Sequence, residues 1–297
     1  MKSIKLYLVS LIGISFLLSS TSAFSGDTLH WSGCGISKKA FMKEMAKAYT
    51  KKTGVEIKLS GGGATKGIRN AANGSIDIGG ACRISIYKDK LEKNAYQIPV
   101  AWDALVVFVN KKNPVSNVTF QQLRDIYLGK ITNWKQLGGN DANIELFTRR
   151  GKLSGVGRTL RELVFANYEQ DFKSTYVVKS SGPVEKGVLK NENGIGVSGI
   201  SSAKKRDLKL LQLDGKAPTY DNIKNGTYAL YRPLYLVINR KNKKPLVKDF
   251  IKYAVSREGQ DIIRAQGTVP YKDALHLVMK QLDQYDRASD RGLYRTH

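Results

Sequence analysis

From Asp27 onward the chain repeats one unit, a short apolar run, a loop of small residues rich in glycine, and a stretch with helical spacing. Thr28 to Trp31 reads as a first buried strand and Ser32 to Ser37 as a loop. In Lys38 to Thr53, Phe41, Met45 and Tyr49 fall at i, i+4 and i+8, which predicts a helix with one apolar face. Gly54 stops it, as a glycine does just past a helix end. Val55 to Leu59 alternates as a strand, Ser60 to Gly63 forms a second glycine loop, and Lys66 to Asn73 is a short helix ended by Gly74. Ile76 to Ala81 is a third strand. Parallel strands need crossover connections, so this alternation predicts an α/β fold with a parallel sheet. In such sheets ligands sit at the carboxyl ends of strands, beside helix starts.

Further along, Ala104 to Val109 is a run of apolar and β-branched residues that reads as a buried strand. Thr119 is the expected N-cap of a helix to Leu128, with Phe120, Leu123 and Tyr127 on one stripe. Leu234 to Ile238 resembles Ala104 to Val109 in its alternation and in its exit, Asn239-Arg240 against Asn110-Lys111. Two such strands far apart in sequence suit paired connections between two lobes, and 297 residues suffice for two. The division expected is 24–103 with 236–297 for one lobe and 104–235 for the other. The charged, weakly patterned tail from Gln281 to His297 reads as a frayed end.

The N-terminus speaks to compartment. Lys2 and Lys5, the apolar run Leu6 to Leu18 and the small residues Thr21-Ser22-Ala23 have the order of a cleaved secretory signal, expected over 1–23. The run is shorter than a spanning helix. The chain is therefore expected in the periplasm. Ser32-Gly33-Cys34 has the outline of a lipoprotein cleavage box, but it lies well past the apolar run, with Trp31 where a leucine is expected. The two cysteines, Cys34 and Cys82, leave two readings open, a disulfide or two buried thiols. No Cys-x-x-Cys spacing exists and His30, His276 and His297 are scattered, so no metal site and no cofactor are expected. The net charge of +24 reads first as a solvated surface, with attraction of anions a secondary effect. Export and the lack of an aromatic-rich basic motif argue against nucleic acid.

Ser60-Gly61-Gly62-Gly63-Ala64-Thr65 precedes a helix. Glycines let successive N–H groups turn inward and the helix start adds unpaired donors, so an anion fits there; a plain strand-to-helix turn is the other reading. It is no Walker A loop, since Lys66 is followed by Gly67, and the dinucleotide fingerprint fails at Lys66. A second basic, glycine-bearing segment runs from Arg149 to Arg158, where an arginine fork, Ser154 and the Gly155 backbone match an oxyanion; alone, it also reads as a solvated loop. A hydrolase elbow fails at Lys152, two residues before Ser154, and paired carboxylates are not evident in any glycine loop. No enzyme activity is expected. The three loops together describe an anion held by neutral dipoles and one or two cations.

Gly61 to Arg83 (GGGATKGIRNAANGSIDIGGACR) resembles a motif of the phosphate-binding proteins of phosphate ABC importers. So do Pro99 to Gly139, which ends in LRDIYLGKITNWKQLGG, RPLYLVIN at Arg232 to Asn239, and FIKYAVSREGQDIIRAQGTVP at Phe250 to Pro270. The resemblance implies the type II periplasmic-binding-protein fold: two α/β lobes, two hinge strands and a ligand in the cleft. It implies capture of phosphate or a related oxyanion by a monomer that delivers it to ABC permease membrane subunits. It assigns Ser37 as a hydroxyl donor with the Lys38 backbone N–H beside it, Gly61 with Ser60 to the second loop, and Arg150 as the charged clamp. Ser154, Gly155 and Val156 become the donor loop from the other lobe. Two departures stand out: Gly61 replaces a serine, and Cys82 replaces the family aspartate that accepts the phosphate O–H and so tells phosphate from sulfate. Two readings of the following Arg83 stand, a second positive donor favouring a more fully ionised anion, or a rim residue. The resemblance also places Cys34 and Cys82 at neighbouring strand ends of one lobe, which makes a disulfide between them the hypothesis to test. A different class of function, an exported binding module for signalling or adhesion with a degenerate cleft, fits the same fold.

Overall fold

The structure, a computed structural model, describes residues 27–86 and 88–290, with side chains to 283. The expected signal segment lies outside the described residues. A ten-stranded sheet runs through the molecule, built from β1 (Thr28–Gly33), β2 (Glu56–Ser60), β3 (Ile78–Ala81), β4 (Ala95–Asn110), β5 (Glu145–Arg149), β6 (Tyr176–Val178), β7 (Gly194–Gly199), β8 (Leu208–Leu210), β9 (Tyr231–Asn239) and β10 (Val269–Pro270). Its order is β2-β1-β3-β9-β4-β7-β5-β6, with β8 and β10 also pairing β4. β1 pairs in parallel with β2 and β3, and β5 in parallel with β6 and β7, so each half has the parallel core that the strand-loop-helix repeat predicts.

Two antiparallel strands join the halves. β4 is much longer than the expected Ala104 to Val109, because its first part, Ala95 to Ala104, is paired along its length with β9 while Leu105 to Val109 pairs with β7. One continuous strand thus serves both halves, and the β9 register shifts between Leu234 and Tyr235. Cleavage before Cys34 would remove β1, which is hydrogen-bonded on both sides, so the lipoprotein reading conflicts with the sheet.

Helices cover the sheet where the periodicity places them. The chain is helical from Gly35, through a π-helical turn at Lys38–Met42, into α1 (Lys43–Thr53), and Gly54 ends it at φ 77°. Phe41, Met45 and Tyr49 are buried, with the Tyr49 ring edge-on to Phe250. α2 (Gly63–Ala72) begins three residues earlier than Lys66, because Gly62 at φ 139° and Gly63 at φ 84° make the turn themselves. α3 (Phe120–Leu128) starts at Thr119 with a full capping box to Gln122, as its sequence requires. The C-terminal segment departs from expectation as far as it is described: His276–Asp290 is a helix, anchored by the buried Leu277, and the last part of the expected frayed tail, 291–297, lies outside the described residues.

Candidate functional site

Four loops meet over the seam between the halves and enclose a cleft of about 350 Å³. Three are the loops singled out from the sequence. Cys34, Gly35 and Ile36 follow β1, Gly61 to Ala64 follow β2, and Gly155 opens α4 (Gly155–Leu160) after β5. The fourth, Lys179 to Gly182, follows β6 and starts α5 (Ser181–Lys190). Its Lys-Ser-Ser-Gly sequence carries the same signature, small residues before a helix, and the same rule applied there finds it. Lys39 and Ser202 complete the wall.

The halves touch closely beside this cleft. A Cβ on Gly155 would stand 2.4 Å from Cys82 Sγ and 3.0 Å from Ala64 Cβ, so only glycine lets the second half press onto the first. Leu153 O accepts from Thr65 Oγ1 at 2.7 Å and from Arg83 Nε at 3.1 Å. Lys39 Nζ donates to Ser202 Oγ at 2.7 Å.

The charge of the cleft is positive. Lys39, Arg149 and Lys179 line it, and no Asp or Glu does among the described residues. Arg149 Nη1 donates to Ser181 Oγ at 3.2 Å, whereas its Nε is buried without a hydrogen-bond partner in the protein. Burial pulls the Arg149 pKa down, and the two nearby thiols pull it back up. Burial likewise lowers Lys39, opposed by Glu185. Two buried carboxylates pair behind the lining, and Glu185 stands 3.9 Å from Lys39 Nζ. Asp103 receives Ser201 Oγ at 2.7 Å and Arg232 Nη2 at 3.3 Å, and Glu185 receives Ser198 Oγ at 2.8 Å and Arg206 Nε at 2.5 Å.

Cys34 and Cys82 are free thiols with their sulfurs 2.7 Å apart, both buried in the cleft wall. The hydrogen bond from Cys82 lowers the Cys34 pKa to about 6 despite burial, helped by Arg232 and by the backbone amides of Ser37 and Ile36. Cys82 is pushed up, first by the hydrogen bond it shares with Cys34 and then by burial.

Of the residues expected to hold the ligand, Gly61, Cys82 and Gly155 line the cleft. The others stand behind it or outside it. Ser37 Oγ donates to Ala81 O at 3.2 Å, and the Lys38 N–H is used by Cys34 O at 3.0 Å, because the helix there begins at Gly35. Ser60 Oγ donates to Trp31 O, Ser154 Oγ caps α4 by accepting from Gly157 N, and Val156 is buried in the core. Arg150 is exposed, with its N–H on Val178 O, and its neighbour Arg149 lines the cleft. Arg149 and Arg150 are sequence neighbours, and neighbouring side chains leave a strand in opposite directions. Arg83 is neither ligand donor nor rim: it is 2% exposed, and its guanidinium is held by both Glu92 oxygens at 2.6 and 2.9 Å.

Two α/β halves joined by two long strands, with helix-leading loops facing one cleft, define the type II periplasmic-binding-protein fold. The match to a PBP superfamily domain spans residues 19–258. The phosphate-binding protein PstS of Borreliella burgdorferi is 30% identical over 240 residues, 78% of this chain and 86% of its own. A Clostridium perfringens protein crystallised with bound phosphate superposes with TM-score 0.76 at 32% identity, over 82% of this chain and 99% of its own. An ABC-type phosphate transport receptor from Vibrio cholerae gives TM-score 0.65 at 30% identity, over 82% and 100%. The chain belongs to the PBP superfamily, among the PstS-type binding proteins. Among the described residues no helix is long and apolar enough to cross a membrane, and no group of three or more His, Cys, Asp or Glu is placed to hold a metal.

Proposed function

We propose that this chain is an exported solute-binding protein that captures phosphate or a similar small oxyanion and hands it to the membrane subunits of an ABC importer. The observation that carries the reading is the Arg149 guanidinium, with a buried unpartnered Nε, facing a cleft lined by helix-leading loops and, among the described residues, by no carboxylate. Backbone donors and a guanidinium hold an oxyanion without doing chemistry on it, so the protein binds and releases and is no enzyme. The two halves, 24–103 with 236–297 and 104–235, move about the β4 and β9 crossings, opening to admit the anion and closing on it. The mature protein, cleaved after residue 23, acts as a periplasmic monomer, and its positive charge draws anions towards the cleft.

With Cys82 in the wall and no Asp or Glu among the described lining residues, the cleft offers a protonated oxygen only hydroxyl, backbone or sulfur acceptors. Sulfate and phosphate are therefore discriminated weakly. Calorimetric titration with phosphate, sulfate, arsenate and molybdate at two pH values tests the reading. Saturable one-to-one binding of at least one anion supports it. Failure of all four to bind favours the second reading, a surface module for signalling or adhesion that keeps the fold without its ligand.

A further inference from the structure

We infer that Cys34 and Cys82 form a dithiol–disulfide site in the wall of the anion cleft, and that closing the disulfide tightens anion binding. The inference rests on the anion reading of the cleft. The geometry begins with the sheet. β1 and β3 are parallel neighbours in register Gly33 to Gly80, and the Cys34 N–H donates to Gly80 O at 2.9 Å. That register sets Cys34 opposite Ala81, with Cys82 the next residue along, so the two cysteines leave adjacent strand ends. The sulfurs already touch at 2.7 Å, so bridging them asks little of the backbone.

The pair is also wired to the site. Both sulfurs line the cleft, and Gly155 of the opposing half rests on Cys82. Arg232 lies beneath, its Nη1 donating to Cys82 O at 3.0 Å and contacting Gly155 O at 3.4 Å, so one guanidinium spans the strand end that carries Cys82 and the loop that closes over it. A reduced pair sharing one proton places a negative charge in a wall whose other charged members, Lys39, Arg149 and Lys179, are positive. A disulfide is neutral. Oxidation therefore removes a like charge facing the anion.

The chemistry balances as thiol–disulfide exchange with an external disulfide. The Cys34 thiolate attacks that disulfide and expels one thiolate, forming a mixed disulfide. Cys82 loses its proton, attacks Cys34 Sγ and expels the second thiolate. Two electrons and the one shared proton leave the pair, and the external disulfide becomes one thiol and one thiolate, the latter taking its proton from water. Both sulfurs are buried when the halves meet, so exchange proceeds from the open form and bound anion slows it.

The full chain is oxidised with glutathione disulfide or reduced with a phosphine, and each form is titrated with phosphate and with sulfate at neutral pH. Intact mass after alkylation in denaturant counts the thiols. The expected result is no alkylated cysteine in the oxidised form, two in the reduced form, and anion affinity at least 10-fold tighter in the oxidised form. The C34S/C82S double variant, and C82S alone should the double variant fold poorly, lose the dependence on redox state. Two alkylated cysteines after oxidation overturn the bridge. Equal affinity in both states overturns the coupling and leaves the anion reading intact, whereas no binding in either state overturns both.

Discussion

Replacing Arg149 and Arg150 separately by alanine gives opposite outcomes, although the two are neighbours with the same side chain. Arg149 contributes a charge-assisted donor to the cleft, with Nη1 held 3.2 Å from Ser181 Oγ and Nε unpartnered. A hydrogen bond to a charged group contributes about 1.5–3 kcal/mol, and each 1.4 kcal/mol is tenfold in affinity, so Arg149→Ala weakens anion binding roughly 10- to 100-fold. Arg150 is exposed and holds its place through its backbone N–H on Val178 O, which alanine keeps, so Arg150→Ala changes affinity by less than about twofold. Arg149→Lys separates charge from shape: an ammonium keeps the charge but not the planar fork, and falls between the two. Titration calorimetry of the three variants, with thermal melts to confirm folding, is the assay. A large loss in Arg150→Ala with Arg149→Ala near the parent would mean that the strand parity at the end of β5 is inverted, and the cleft chemistry argued from Arg149 would fall.

Other consequences follow from the same contacts. Gly155→Ala puts a Cβ 2.4 Å from Cys82 Sγ, so anion affinity drops at least tenfold, read by titration, while each half keeps its fold. Glu92→Ala strips Arg83 of its bidentate partner where both side chains are fully buried, and urea unfolding should show a loss of about 3–5 kcal/mol. In the reduced protein, thiolate absorbance near the ultraviolet edge should rise with a midpoint at about pH 6 and be lost in C34S. Because Cys34 has its pKa lowered from 9.0 to about 6 on folding, its contribution to stability is complete near pH 9 and is lost as pH falls towards 6. A comparison of urea midpoints of the reduced parent and C34S across that range checks the sign.

The α/β class, the helices beginning at Thr119 and ending at Gly54, and three of the four loops that line the cleft were readable from residue order alone. Each depends on neighbours within a few positions: apolar spacing, a capping hydroxyl, a glycine able to take positive φ. The fourth loop, Lys179 to Gly182, carried the same local signal. Side-chain assignment at the site was different. Arg149 rather than Arg150 faces the cleft because β5 ends where its pairing with β6 ends, a fact of register between segments far apart in the chain. Arg83 is excluded from the ligand by Glu92, whose buried position depends on how the segment before β4 folds back over the sheet. Cys34 and Cys82 are 48 residues apart in sequence, and only the parallel alignment of β1 and β3 brings their sulfurs together. Local physics therefore determined which segments form helices, strands and turns, while long-range packing decided which atoms those segments present to an anion. A side chain's direction and partners are set by whatever lies across the sheet or the cleft, and no short stretch of sequence contains that neighbour.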